Sequence, residues 1–193
     1  MSNISLIVGL GNPGSEYAQT RHNAGFWFVE RLADQYGISL KKDPKFHGIS
    51  GRGSIEGRDV RLLLPSTFMN LSGKSVVPFA KFYNIAPEAI LIAHDELDMN
   101  PGVIRLKTGG GHGGHNGLRD IVPHIGANFH RLRIGIGHPG AKEKVSGHVL
   151  GKAPSAEQRL MDDAIDHALA RTKLLVNAEI QAAMNQINAY KPN

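Results

Sequence analysis

At 193 residues, with 41% apolar and 20% charged residues, the chain is long enough for one domain with a full hydrophobic core and has the make-up of a soluble globular protein. It contains no cysteine, which excludes a disulfide framework, a thiolate nucleophile and a thiolate metal site. The net charge of +5 is unevenly placed: between positions 105 and 152, Arg105, Lys107, Arg119, Arg131, Arg133, Lys142, Lys144 and Lys152 are opposed by Asp120 and Glu143 alone. That imbalance fits a polyanionic partner such as nucleic-acid phosphates, and it also fits a solvated basic face. The first apolar run has no basic region ahead of it and reads as a strand, not a signal peptide. No apolar run reaches membrane-spanning length, so a cytoplasmic protein is expected.

In chain order, residues 5–10 form a short apolar β-run leading into Gly9-Leu10-Gly11-Asn12-Pro13-Gly14. Three glycines so spaced after a strand match the dinucleotide-binding pattern, but the match is poor. Residues 15–20 intervene before any helix, and Asp34, at the spacing for a ribose contact, falls inside a helical pattern. That helix is predicted over 21–36 from Phe26, Val29, Leu32, Ala33 and Tyr36, with Thr20 as cap and Gly37 as stop. His22 then sits in the first turn, where the helix dipole disfavours imidazolium and leaves a neutral ring able to accept a proton. Asn12, Tyr17, His22 and Asn23 gather just beyond the first strand.

A hairpin over 47–55 and 60–64 turns at Glu56-Gly57-Arg58. Beyond it, Met69 and Asn70 stand at another strand exit; a methionine alone is more often core. Ser72 is a candidate cap for a helix to about residue 84, which Pro78 should kink or delay. The apolar run 89–93 ends in polar residues with Asp95 at its tip, the usual active-site edge of an open α/β sheet. After a strand over 103–107 comes a loop, 108–117, with six glycines in ten residues and only His112, His115 and Asn116 as reactive side chains. So much glycine is costly in chain entropy and makes sense where backbone must approach a ligand, although a flexible loop with incidental histidines has the same composition. Asn116 opens a short helix to about 124, followed by a strand over 129–137 with Arg131 and Arg133 on one side. A glycine-broken basic loop comes next. From Ser155 the chain is helical, with a capping box at Ser155-Ala156-Glu157-Gln158 and a break near Asn177.

The expected fold is therefore α/β, one domain with a mixed twisted β-sheet flanked by helices and a helical C-terminal tail. Polar candidates from several strand exits, Asn12, His22, Asn70, Asp95, His115 and Asn116, would converge on one edge. A His with an Asp suggests general-base activation of water, since no cysteine and no Gly-x-Ser-x-Gly elbow is present. Side-chain amides beside them suit a carbonyl and its developing oxyanion. Asp95 with His112 and His115 is an alternative zinc set, though loosely spaced.

The segments Gly9–Gly14 with Tyr17, Thr20–Gly25, Thr67–Gly73, His94–Asp98, Gly109–Gly117 and Phe129–Pro139 occur in an order and spacing that closely resembles bacterial peptidyl-tRNA hydrolases. The resemblance runs from the first strand to about Gly151 and extends through the tail. It implies hydrolysis of the ester between a peptide and the terminal ribose of tRNA, by a monomer without metal or cofactor. The implied partner is peptidyl-tRNA, met at its acceptor stem and CCA end and recycled after peptide drop-off from the ribosome. By motif, His22 is the base, polarised by Asp95. Asn12, Asn70, Met69 and Tyr17 hold the peptide and ester, Asn116 positions water or stabilises the oxyanion, and His115 supports the site. Arg105, Lys107, Arg133 and Lys142 fall at tRNA phosphate contacts, and residues 138–151 resemble a mobile lid. Pro78 is the one departure from a continuous helix. A non-catalytic RNA-binding protein on the same scaffold is the alternative from a different class.

Overall fold

In the computed structural model, which describes residues 2–193, seven strands form one open mixed sheet. They are β1 (Leu6–Gly9), β2 (Lys41–Asp43), β3 (Gly48–Ile55), β4 (Arg58–Pro65), β5 (Ile90–Glu96), β6 (Ile104–Thr108) and β7 (His130–Gly135), arranged β2-β3-β4-β1-β5-β7-β6. The inner strands β4, β1, β5 and β7 run parallel, while β2, β3 and β6 join antiparallel at the edges. Seven helices flank them: α1 (Ala24–Gln35), α2 (Gly73–Phe82), α3 (Asn116–Ile125), α4 (Val145–Val149), α5 (Ser155–Leu169), α6 (Thr172–Val176) and α7 (Ile180–Asn188). The chain is thus the single-domain α/β protein its pattern predicts.

Strand alternation divides the core. Leu6, Val8, Leu63, Ile90 and Ile92 face α2 and α3, whereas Ile7, Leu62, Leu64, Leu91 and Ala93 face α1 and the C-terminal helices. After β1 the chain crosses to one side of the sheet, and after β4 it returns to the other, so the order reverses around β1. The crevice beyond the carboxyl ends of β1 and β5 is the place where open α/β sheets hold ligands. No helix among the described residues is long and apolar enough to cross a membrane.

Local departures have local causes. Strand β2 was not foreseen because Lys41-Lys42-Asp43 carries no apolar alternation; it is held by pairing to β3. The predicted hydroxyl caps are not made, since Thr20 donates to the Tyr17 carbonyl at 2.8 Å and Ser72 to that of Met69 at 2.7 Å. Ser155 likewise opens α5 without a side-chain cap. Helix α2 begins at Gly73 and runs through Pro78. Lys74 and Pro78 are both exposed, so the carbonyl that loses its N–H partner turns to water. The basic loop contains a short helix, α4, whose five residues were too few to register as a periodic pattern.

The first turn of α1 is pressed onto the sheet. A Cβ on Gly25 would lie 2.3 Å from the Ala93 carbonyl oxygen and 2.7 Å from the Leu10 nitrogen, and one on Gly9 would lie 2.3 Å from the Gly25 carbonyl oxygen. Only bare backbone allows this approach, and it sets the chain just before α1 over the end of β5. We expect Gly25→Ala to cost at least about 1–3 kcal/mol in urea unfolding, the usual range for overpacking a filled site, and to reduce activity because the segment carrying His22 must lift.

Candidate active site

Asp95 is the penultimate residue of β5 and only 3% exposed. Its Oδ2 accepts a hydrogen bond from His22 Nδ1 at 2.8 Å, and its Oδ1 accepts one from His115 Nε2 at 2.8 Å. The ring of His115 is fixed from its other side. Nδ1 accepts the backbone N–H groups of Gly117 and Leu118 at 3.1 and 3.3 Å, so His115 is itself the N-cap of α3. An accepting Nδ1 requires the proton on Nε2, where it is donated to Asp95. Behind them, His94 Nδ1 donates to the Asp95 backbone carbonyl at 2.8 Å.

Burial opposes the charge on Asp95, but the two imidazoles, through charge and hydrogen bonding, hold its carboxyl well below the usual carboxylate range. Burial likewise works against a cationic His22, yet the charge and hydrogen bond of Asp95 prevail and raise its pKa above 6.5. The direction is opposite to that of a helix dipole acting alone. Residues Arg21–Asn23 form a 3-10 turn ahead of α1, and the adjacent carboxylate outweighs any helix end. Burial, and then the nearness of His115, push His94 down to about 3, so its ring is neutral. His22 Nδ1 is spent on Asp95, leaving Nε2 for the cavity that His22 lines.

That cavity, about 500 Å³, is bounded by Asn12, Phe68, Met69, Asn70, Glu96, Leu97, Gly113, Gly114 and Asn116, with Lys142 and α4 on its outer side. Two of its amides are oriented. Asn12 Oδ1 accepts the Met69 N–H at 2.7 Å, and Asn116 Oδ1 accepts from Arg119 Nη1 at 3.1 Å. Each therefore offers its NH₂ as a donor. Asn70 is exposed on the same wall. Tyr17 does not line the cavity; it meets Phe68 edge-on, with ring centroids 6.2 Å apart, and backs that wall.

The basic residues separate into distinct groups. Lys142 lines the cavity. Arg105 and Lys107 lie on edge strand β6 opposite Arg133 and Arg131 of β7. Lys107 and Arg133 border a smaller cleft behind the glycine loop, and Arg133 Nε is paired with Glu96 Oε1 at 3.0 Å. Arg131, counted above with the phosphate-facing charge, is only 2% exposed and is structural. Its guanidinium donates to the carbonyls of Gly110, Gly111 and Ala127, turning half of the glycine loop into its ligand shell.

Two alternatives lose their footing. His112 accepts the Gly114 N–H within its own loop and is not among the groups around Asp95, so the zinc set read from sequence does not assemble. The side chains that do cluster, His22, Asp95 and His115, have their ligand atoms within 4.8 Å, but both imidazoles are hydrogen-bonded directly to the carboxylate. The glycine pattern after β1 is turned to another use in the fold. Both the N–H and the carbonyl of Asn12 are taken by the Asn23 amide, each at 2.9 Å.

A model of the family described as peptidyl-tRNA hydrolase matches residues 6–193. The chain belongs to the peptidyl-tRNA hydrolase family. It is 86% identical over 192 residues to the peptidyl-tRNA hydrolase of Acinetobacter baumannii strain AYE, covering both chains in full. It is 64% identical to that of Psychrobacter arcticus, covering 97% of each chain. A crystal structure of peptidyl-tRNA hydrolase from Acinetobacter baumannii superposes with a TM-score of 0.99 at 85% identity, covering 100% of this chain and 98% of the other. The protein is accordingly a hydrolase of peptidyl-tRNA, cleaving an ester bond.

Within this family fold, several site-forming contacts had escaped the sequence reading. Asn23 was grouped with Asn12, Tyr17 and His22, but its clamp on Asn12 depends on a turn that spacing does not specify. Asp120 had counted only as charge; its Oδ2 accepts the Gly73 N–H at 2.7 Å and latches the Asn70 segment to α3. Phe68, Glu96 and Leu97 adjoin motif residues and reveal themselves only through the cavity they bound. Replacing Asn23 with Ala strands a buried N–H and a buried carbonyl. We expect a loss of about 1–3 kcal/mol per stranded group in denaturant unfolding, with kcat/KM falling alongside as Asn12 loses its place.

Proposed function

We propose that His22 is the general base of a metal-independent ester hydrolysis in which water is the nucleophile. Nε2 takes a proton from water as the water oxygen bonds to the ester carbonyl carbon, and the carbonyl electron pair moves onto its oxygen. The NH₂ groups of Asn12, Asn70 and Asn116 donate to the ester and its oxyanion, supplying stabilisation without a charged group beside the base. The tetrahedral intermediate then expels the ribose oxygen, which takes the proton from His22, giving the peptide acid and a tRNA with a free terminal hydroxyl. Asp95 holds the ring and stabilises its cationic form, while His115 holds Asp95.

The observation that carries this reading is the 2.8 Å hydrogen bond from His22 Nδ1 to a buried carboxylate, which fixes the tautomer with Nε2 open to the cavity. Met69 and Phe68, backed by Tyr17, suit the apolar part of a peptide. Lys142, Lys107, Arg133 and Arg105 would receive phosphates of the acceptor stem, with the CCA end entering the cavity. Residues 138–151 act as the lid. In this reading the protein works as a cytoplasmic monomer, returning tRNA to translation after peptides are lost from the ribosome. A pure RNA binder needs the basic surface but has no use for an oriented His–Asp pair ringed by amides.

His22→Ala should reduce release of an N-acylated amino acid from tRNA by about 10² to 10⁴-fold without unfolding the protein; near-normal turnover would exclude His22 as base. The same assay after exhaustive chelation should retain full activity, which a metal-dependent enzyme would lose.

The base works neutral and its pKa is raised, so kcat/KM should fall as pH drops through a midpoint above 6.5. Asp95→Asn removes both contributions that raise it and leaves burial, which lowers it. The acid limb should therefore move to lower pH, under a plateau reduced by about 10² or more. A limb that stays in place would separate Asp95 from the titration of His22.

Neutralising Lys107 or Arg133 should raise KM more than it lowers kcat, because phosphate contacts position the substrate without entering bond cleavage. Each variant should also flatten the slope of log KM against log salt concentration by roughly one. A large kcat loss with an unchanged slope would contradict the assignment.

A further inference from the structure

The outer wall of the cavity hangs from the residue that precedes the base. Val145, Ser146, Val149 and Leu150, on and just after α4, line the same cavity as the His22–Asp95 pair. Arg21 Nη1 donates to the His148 carbonyl at 2.9 Å, in the last turn of α4, adding a charged donor to a carbonyl that also accepts the Gly151 N–H at 3.2 Å. Arg21 N donates to the Gly151 carbonyl at 3.0 Å, and Thr20 makes an isolated antiparallel bridge with Lys152. A five-residue helix is not stable by itself, so its position depends on such ties. His148 adds one more, its Nε2 donating to the Ile136 carbonyl at 3.1 Å.

We propose that Arg21 is a positioning residue for the acyl half of the substrate: its guanidinium clasps the C-terminal end of α4 and holds that helix as the wall against which the peptide is bound. The inference rests on the reading of this cavity as the ester-hydrolysing site. Arg21 is half-buried, and its guanidinium is held by a carbonyl of the cavity wall. Because Arg21 is joined by one peptide bond to His22, wall and base share an anchor. The backbone bond to Gly151 and the Thr20–Lys152 bridge do not need the side chain and survive its removal.

The test compares Arg21→Ala, Arg21→Lys and Gly151→Ala with the unmodified protein, using N-acylated aminoacyl-tRNA as substrate. A Cβ on Gly151 would lie 3.3 Å from Arg21 Nη1 and 3.0 Å from the Gly147 carbonyl oxygen, so that variant crowds the clasp from the other side and serves if Arg21→Ala fails to fold. Arg21→Ala should raise KM roughly tenfold, the lower end of the worth of one charge-assisted hydrogen bond, with kcat and the acid limb of the pH profile in place. Amide exchange should accelerate in Val145–Val149 and not in the sheet. Arg21→Lys should recover most of the loss, and Gly151→Ala should repeat it. An unchanged KM in Arg21→Ala, or in Gly151→Ala if that is the variant that folds, overturns the proposal. So does a salt slope reduced by roughly one, which would make Arg21 a phosphate ligand. A displaced acid limb also overturns it, since Arg21 would then act on His22 directly. His22→Ala with normal turnover would instead remove the underlying reading.

Discussion

A buried carboxylate shared by two imidazoles is the constraint on which the rest of this structure turns. An ionised Asp95 at 3% exposure is tolerable only because each oxygen receives a hydrogen bond at 2.8 Å. The donors come from segments 73 residues before it and 20 after it, so a single charge ties the loop after β1, the end of β5 and the start of α3 into one unit. Each histidine does two things at once. His115 spends Nδ1 on the helix it caps and Nε2 on Asp95; His22 spends Nδ1 on Asp95 and keeps Nε2 free. The tautomers follow from the partners, with no freedom left to choose otherwise.

Around that unit lies a second layer that fixes amides rather than charges. Asn23 fastens Asn12 by its backbone, Met69 and Arg119 take the side-chain oxygens of Asn12 and Asn116, and Asp120 latches the Asn70 segment onto α3. The common result is NH₂ groups directed to a cavity that also holds an imidazole. Pre-oriented neutral dipoles need no reorganisation when charge develops on an ester oxygen. A lysine or arginine in the same place would depress the pKa of His22, the base in the proposed mechanism.

Much of this was legible beforehand, and the limits of legibility are physical. The fold class could be read because alternating and continuous apolar runs report burial directly, and the motif residues sat at strand exits because sheet topology leaves few other places for them. His22, Asp95, Asn12 and His115 were named from sequence. What failed were inferences from helix ends: Thr20 and Ser72 have the right chemistry for caps, but nearer carbonyls took their hydroxyls, and Ser155 opens α5 without capping it. The pKa of His22 shows a related limit, since a dipole seen along the sequence would lower it while a carboxylate 73 residues away raises it. Arg131 shows the same limit for charge. Counting cations along the chain cannot tell a phosphate ligand from a guanidinium buried under a glycine loop.

Arg131 also explains why the loop needs its glycines. The expectation was a backbone brought close to a ligand, and part of the loop, Gly113 and Gly114, does border the cavity. The other part approaches a ligand supplied by the protein itself. Gly110 and Gly111 turn their carbonyls onto the Arg131 guanidinium, and Gly110 adopts φ 101°, a conformation that side chains resist. A buried cation on β7 thereby holds the loop leading to His115 and α3, as the buried anion on β5 holds that histidine directly. The glycine loop is thus tethered at its base by one buried charge and at its far end by another of opposite sign. The segment between them needs little side-chain mass of its own, and this leaves open the cavity that His22 and the amides line.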